Sequence, residues 1–477
     1  MLRSKMLING ELRDALSGKI DIIRNPANQE PVAEVSVGSR EDARLALDAA
    51  QKAFPVWSET SPQKRGEILH SSAGLVRQRV EEIARLLTLE MGKPMKDARR
   101  EVLHSADVLD YYAEEGKRNF GKWTASSSSR SIIIRQPIGV AALITPWNFP
   151  VDLLSWKVGP ALAAGCTIVA KPPSIAPLAA TELVKAVNDA GAPAGVVNVV
   201  HGPGSEVGAE LVENPISRKI AFTGETKTGR WIMERAAKHI KHISLELGGQ
   251  SPFIVCEDAD LDKAAASCVQ RAFSNMGQTC IRVNRIYVAE NIAEEFTSKL
   301  VERTIKLKVG SGLDPSTDLG PMASAAQRQK TMDHIADALS KGGKLLCGGH
   351  EPEGEEYEKG FFFLPTVLSN ANHSMKVMRE ETFGPVAPIM RFETLDEAIG
   401  LANDTEFGLA AYIFTSSLKA AIYASERLAA GGIGVNVNSV IDLQAPFGGW
   451  KQSGFGRELG HFGLESYLEI KHIRIGL

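Results

Sequence analysis

VAALIT (140–145), CTIVAK (166–171), VVNVV (196–200), KIAFT (219–223) and HISLEL (242–247) are five short apolar runs spaced along the stretch from Gly139 to Gly249. Ala-, Leu- and Val-rich segments of helical pattern separate them, and Gly, Pro or Asn clusters stand at nearly every run's end. Strands alternating with helices predict a parallel, doubly wound α/β sheet. Such sheets bind ligands beyond the carboxyl ends of their strands. The unusual residues fall at those ends: Trp147-Asn148, Lys171, Gly202 to Gly208, and Gly224.

Outward from this stretch the chain keeps its rhythm. A second alternating section runs from Gly249 to about Gly449, and the tail SYLEIKHIRI (466–475) is strand-like. The first third reads as a short hairpin followed by helices. Ser39 before Glu41 and Asp42, and Ser61 before Pro62, are helix-start signals, since a hydroxyl caps the first free N–H groups. Between Phe120 and Pro137, the serines at 126–129 and the run Ile132-Ile133-Ile134 break the helical pattern.

At 477 residues the chain fits two or three domains. Its 44% hydrophobic content supports a large core. A net charge of −3 with signs mixed throughout gives no basic stripe for nucleic acid and no acidic arm. The five cysteines include no C-x-x-C pair and no His cluster at metal spacing, so free thiols in a reducing compartment are expected and no metal site. The N-terminus has no signal-peptide core, and the run from Val158 to Ala170 is far short of a membrane span. The expectation is a cytoplasmic protein without nucleic-acid or membrane partners.

Several residues invite a chemical reading. The G-x-G-x-x-x-G segment from Gly202, including Gly204 and Gly208, follows a strand and precedes a helix. It is either a phosphate cradle or a plain turn. Cys280, in Asn275-Met-Gly-Gln-Thr-Cys280, sits in a loop of non-core composition between a helix capped near Asp258 and a strand around Ile286. Cys166 and Cys268 lie in apolar runs and read as structural. Glu246 shares a strand face with Ser244, opposite Ile243, Leu245 and Leu247. A carboxylate so placed is either a general base with raised pKa or the partner of a nearby Lys or Arg. Asn148 either donates its amide to an oxyanion or shapes a Pro-flanked turn. Lys171 either emerges at the sheet's carboxyl edge as a working charge or is simply solvated.

Together, TPWNFP (145–150), AKPPS (170–174), FTGETKTG (222–229), LELGG (245–249), GQTC (277–280), EETFGP (380–385) and PFGGWKQSGFGRE (446–458) resemble the aldehyde dehydrogenase superfamily over essentially the whole chain. The wording of LELGGQSPFIV and FGGWKQSGFG is closest to its succinate-semialdehyde-dehydrogenase-like branch. The resemblance implies oxidation of an aldehyde to an acid with NAD or NADP, through a thioester on Cys280. The backbone N–H of Cys280 and the side chain of Asn148 would hold the oxyanion, and Glu246 would activate water. Lys171 and Glu381 would hold the riboses, Phe383 would pack near one of them, and Thr145, Trp147, Gly224 and Leu247 would line the cofactor cleft. It further implies a cofactor-binding domain (1–119 and 139–248), an α/β catalytic domain (249–448) and a small β oligomerisation arm (120–138 and 463–477) of a homodimer or homotetramer. In that arm, the C-terminal strand would pair with the segment 120–138 of another subunit.

The chain departs from the family pattern in places. Glu225 stands where a pyrophosphate-binding Ser is usual, so contact there should come from backbone N–H groups. Ser174 stands where NAD-specific members often carry Glu, which leaves room for a 2′-phosphate. The two arginines with which succinate-semialdehyde enzymes grip the substrate carboxylate are replaced by Trp156 and Ser274. Arg282 could substitute for them, or pair with an acid such as Asp152. Trp156 points instead to a betaine- or amino-aldehyde-type enzyme. A CoA-acylating relative would lack Glu246, and an inactive structural relative would be free to lose Cys280, Glu246 or Asn148.

Overall fold

The structure, a computed structural model, describes residues 2–477. The five predicted runs form the parallel centre of an eight-stranded sheet. Its order is Gly454–Phe455, His242–Glu246, Ser217–Thr223, Val140–Ile144, Thr167–Lys171, Val197–Val199, Met6–Ile8, Glu11–Arg13. The earliest of the five, Val140–Ile144, lies between its successors, so the strand order reverses beside it. Chains leaving its end diverge to either side and open a crevice, which is why the end residues gather there.

A seven-stranded sheet accounts for the second alternating section: Lys344–Cys347, Thr366–Ser369, Val386–Phe392, Val283–Ala289, Ser251–Val255, Ala410–Phe414, Gly432–Val435. All its neighbours pair parallel except the edge strand Lys344–Cys347. The sheets are consecutive in the chain at Glu246 to Ser251, where one strand ends and the next begins. No helix of the described residues is long and apolar enough to cross a membrane.

The helix-start signals hold. Ser39 and Asp42 form a reciprocal capping box on Arg40–Glu59, and Ser61 caps Pro62–Gln78. Three expectations need correction. The N-terminal region holds five short strands rather than one hairpin, three of which (Leu2–Ser4, Pro31–Ser36, Ile20–Arg24) make their own sheet. The helix before Cys280, Leu261–Phe273, is capped by Asp260, while Asp258 accepts bonds from Thr415, Ser416 and Ser417. The C-terminal strand Leu468–Gly476 pairs in register with Ser129–Pro137 of its own chain rather than of another subunit, and stands at the edge of that sheet. The three-stranded arm is completed by Lys122–Ala125, and Trp123, Ile470 and Ile475 stand exposed on it.

Candidate active site

At the crevice, Thr145 is buried just past its strand, and its hydroxyl has no hydrogen-bond partner. Lys171 ends the neighbouring strand. It is buried rather than solvated, and its Nζ reaches only the carbonyl of Pro172, at 3.4 Å. Burial pushes its ammonium down to about 8. Ser174 is exposed and donates to the Gly202 carbonyl at 3.2 Å, so its side chain faces the glycine segment. That segment is a single wide turn, Gly204–Gly208, opening into the helix Ala209–Glu213. A side chain at Gly204 would meet no atom within 4 Å, so this backbone faces open space.

Across the crevice, Gly224 leads to Glu225, the exposed first residue before the helix Thr226–Ala236. Glu225 makes no side-chain cap, which leaves that helix's first N–H groups to other partners. Leu247 packs against Gly229. Glu381 accepts from Gly249 N at 2.9 Å, and its carboxyl is raised to about 7, first by burial. Phe383 takes a left-handed backbone (φ +54°) and sets its ring edge-on to Trp147, centroids 5.5 Å apart. An orphaned hydroxyl, a buried ammonium, an open glycine backbone and uncapped helical N–H groups suit the phosphates and riboses of a dinucleotide.

The cysteine loop is held by its neighbours. Asn275, Met276 and Gly277 are three successive left-handed residues. A Cβ at Gly277 would stand 2.4 Å from the Gly384 carbonyl, so only glycine fits there. Buried Gln278 donates its amide to Asn275 O (2.9 Å) and accepts from Ala323 N (3.0 Å). Asn148 Nδ2 donates to Gln278 O at 3.0 Å, which ties the first sheet's loop to the Cys280 loop. Its second amide hydrogen remains available. The Asn148 carbonyl in turn accepts from Lys93 Nζ (3.0 Å) and Asn275 Nδ2 (3.1 Å). Lys93 is ion-paired with buried Glu101, whose other oxygen accepts from Val151 N and Asp152 N at the start of Pro150–Ala164. Cys280 is half-buried, and its thiol is pushed up to about 12 by burial and then by Glu381 and Glu246.

Glu246 is buried with neither carboxylate oxygen hydrogen-bonded, so the Lys- or Arg-paired reading fails. Its pKa is raised well above the usual carboxylate range, first by burial and then by the charge of Glu458. Gly448 makes room for it: a Cβ there would lie 2.9 Å from Glu246 Oε1. Thr223 is its cross-strand partner, and the Thr223 hydroxyl accepts from Lys157 Nζ at 2.7 Å. Lys157 also donates to Glu458 Oε1 at 2.6 Å. Sequence reasoning missed Lys157, Glu458 and Gln278. The signal for Lys157 was a lysine in VDLLSWKVGPALAA (151–164), a stretch buried at every position.

Cys280 and Asn148 open on a cavity of about 380 Å³ also lined by Trp156, Ser274, Arg271 and Phe447. Trp156 stacks edge-on to Phe447 (5.2 Å) and donates to Asp152 (3.0 Å). Arg282 is outside this cavity, which corrects its assignment to the substrate. It is fully buried and donates to the Val386 carbonyl, because its position at the base of the Val283–Ala289 strand turns it into the seven-stranded sheet. Nor does it meet Asp152, which bonds His104 and Trp156.

Fold and site define a class, an oxidoreductase in which a dinucleotide crevice abuts a loop-borne thiol. The profile of the aldehyde dehydrogenase family matches residues 14–473, and the chain belongs to that family. Over the whole chain it is 45% identical to the NADP(+)-dependent succinate-semialdehyde dehydrogenase of Escherichia coli K12, covering 98% of that protein. It is 43% identical to the glutarate-semialdehyde dehydrogenase of Pseudomonas putida, again covering 100% and 98%. The crystal structure of betaine aldehyde dehydrogenase from Staphylococcus aureus with NAD+ superposes with a TM-score of 0.97 at 37% identity, covering 99% of this chain and 94% of that one. Family, fold class and enzyme class are those the motifs implied.

Proposed function

We propose that the chain oxidises an aldehyde bearing a second acid group, a semialdehyde of the succinate or glutarate type, to the carboxylate, using NADP or NAD. The observation that carries the reaction is a loop cysteine tied through Gln278 to the Asn148 amide, with the unpaired carboxyl of Glu246 beside them. The Cys280 sulfur, once deprotonated, bonds to the aldehyde carbon. The resulting oxyanion takes bonds from Cys280 N–H and the free Asn148 amide hydrogen. A free aldehyde is a poor hydride donor, whereas the carbon next to that oxyanion is a good one. A nicotinamide cofactor held by the crevice residues would supply the acceptor for this hydride. Glu246 then takes a proton from the water that attacks the thioester, the C–S bond breaks, and the Cys280 sulfur leaves as the thiolate, ready for the next aldehyde. The Thr223–Lys157–Glu458 chain lies beside Glu246 and sets the charge it feels.

On this reading Lys171, Ser174, Glu381, Phe383, Trp147, Thr145, Leu247 and the glycines at 204, 208 and 224 hold the cofactor, with Glu225 beside its phosphates. Residues 1–119 and 139–248 act as the cofactor-binding unit and 249–448 as the catalytic unit. The segments 120–138 and 463–477 form an arm whose exposed Trp123 and Ile470 are covered in a homodimer or homotetramer. Kinetics on neutral, anionic and cationic aldehydes with both cofactors test the reaction. No turnover of any of them would end the proposal. A betaine-aldehyde preference would replace its substrate, the reading that the Trp156–Phe447 pair favours.

A further inference from the structure

Seven charged or titratable side chains line the cavity over Cys280, and six are matched. Lys93 pairs with Glu101, Arg100 with Asp97 at 2.7 Å, and His104 with Asp152 at 2.7 Å. Arg271 is the exception: among the described residues no carboxylate comes within 4 Å of it. It stands in the last turn of Leu261–Phe273, and its Nε donates to the Asn438 carbonyl. That bond fixes the plane of the guanidinium, while its two Nη groups make no hydrogen bond within the described chain. A half-buried, oriented and unneutralised fork in a substrate cavity is a built receptor for a planar or tetrahedral oxyanion.

Resting on the reading that Cys280 captures an aldehyde in this cavity, we infer that Arg271 is the specificity-determining residue that binds the distal anionic group of the substrate. It takes over, from a different turn of the chain, the task for which Trp156 and Ser274 carry no charge. Trp156 and Phe447 then sheath the carbon chain between the two ends. At about 380 Å³ the cavity accommodates a short ω-acid aldehyde.

The test compares Arg271→Gln and Arg271→Lys on succinate semialdehyde, neutral butanal and betaine aldehyde. A charge-assisted bond of this kind is worth roughly 10- to 100-fold in affinity. Arg271→Gln is expected to lower kcat/KM for succinate semialdehyde by that factor, mainly through KM. Butanal should change by less than about threefold, and Arg271→Lys should recover part of the loss. An equal loss on butanal and succinate semialdehyde would mean a merely structural residue and overturn the inference. An unchanged preference in Arg271→Gln, or wild-type preference for betaine aldehyde, would overturn it too. Failure of the wild type to oxidise even butanal would instead remove the aldehyde-capture reading, and this inference with it.

Discussion

The side of Cys280 proposed to hold the cofactor and the side proposed to hold the substrate are built by different means. On the proposed cofactor side, the surfaces are strand ends and backbone: Thr145, Lys171, the Gly204 turn and the uncapped helix after Glu225. Their positions follow from one parallel sheet and its reversal of strand order. On the substrate side the walls are side chains from separate helices: His104 from Met95–Glu115, Trp156 from Pro150–Ala164 and Arg271 from Leu261–Phe273. Phe447 comes from a distant loop. A backbone surface tolerates changes in side chains and so keeps one chemistry. A wall of side chains changes its selectivity with each substitution and leaves the reaction intact.

The comparison breaks most completely at the nucleophile both sides share. Cys280→Ala is expected to lower kcat by roughly 10⁴-fold or more while cofactor binding survives. Turnover assays beside a cofactor-fluorescence titration check this. Cys268 and Cys166 cannot stand in, since both are fully buried and neither lines the cavity on which Cys280 opens. Appreciable turnover by the variant would sink the assignment of Cys280.

Next in size is Glu246→Gln, which should keep the burst of reduced cofactor and slow the following phase by roughly 10²- to 10⁴-fold. Stopped-flow absorbance separates the two phases. Loss of the burst would place Glu246 in the capture step and on both sides of the comparison.

A smaller effect sharpens the cofactor side. Ser174→Glu should shift the NADP/NAD ratio of kcat/KM toward NAD. Two unit charges ~4 Å apart at an effective dielectric of ~20 interact by ~4 kcal/mol. Solvent at this exposed position cuts that severalfold, which leaves a change of roughly tenfold. An unchanged ratio would put the Ser174 side chain away from the 2′ position, for all its bond to Gly202.

The subtlest expectation concerns pH. Burial and the Glu458 charge both hold Glu246 protonated, so its base form grows only as pH rises, and the acid-releasing phase should speed up toward alkaline pH. Glu458→Gln removes a raising charge and leaves Lys157, whose charge lowers the Glu246 pKa. The midpoint of that phase's pH profile should therefore move to lower pH. Removing one partner of a buried pair costs about 3–5 kcal/mol, so a thermal melt should accompany the profile. A midpoint that stays still or moves upward would show that Glu246 does not feel Glu458.

By itself the sequence determined the strands, the helix caps and the residues at the strand ends. These depend on local patterns: short apolar runs bounded by Gly, Pro or Asn, a hydroxyl before an acidic turn, glycines after a strand. Cys280, Glu246, Asn148 and the crevice residues were legible because each lies inside a short ordered motif. Tertiary structure alone decided which charges are neutralised. Arg282, two residues after Cys280, turns into the sheet to a carbonyl, whereas Arg271, nine residues before Cys280, faces the cavity beside it. Likewise Lys157 meets Glu458 across 301 residues, and the C-terminal strand finds its partner within its own chain. An ion pair or an orphaned charge is a property of distances of a few Å, and sequence separation carries no information about those until the sheets have packed.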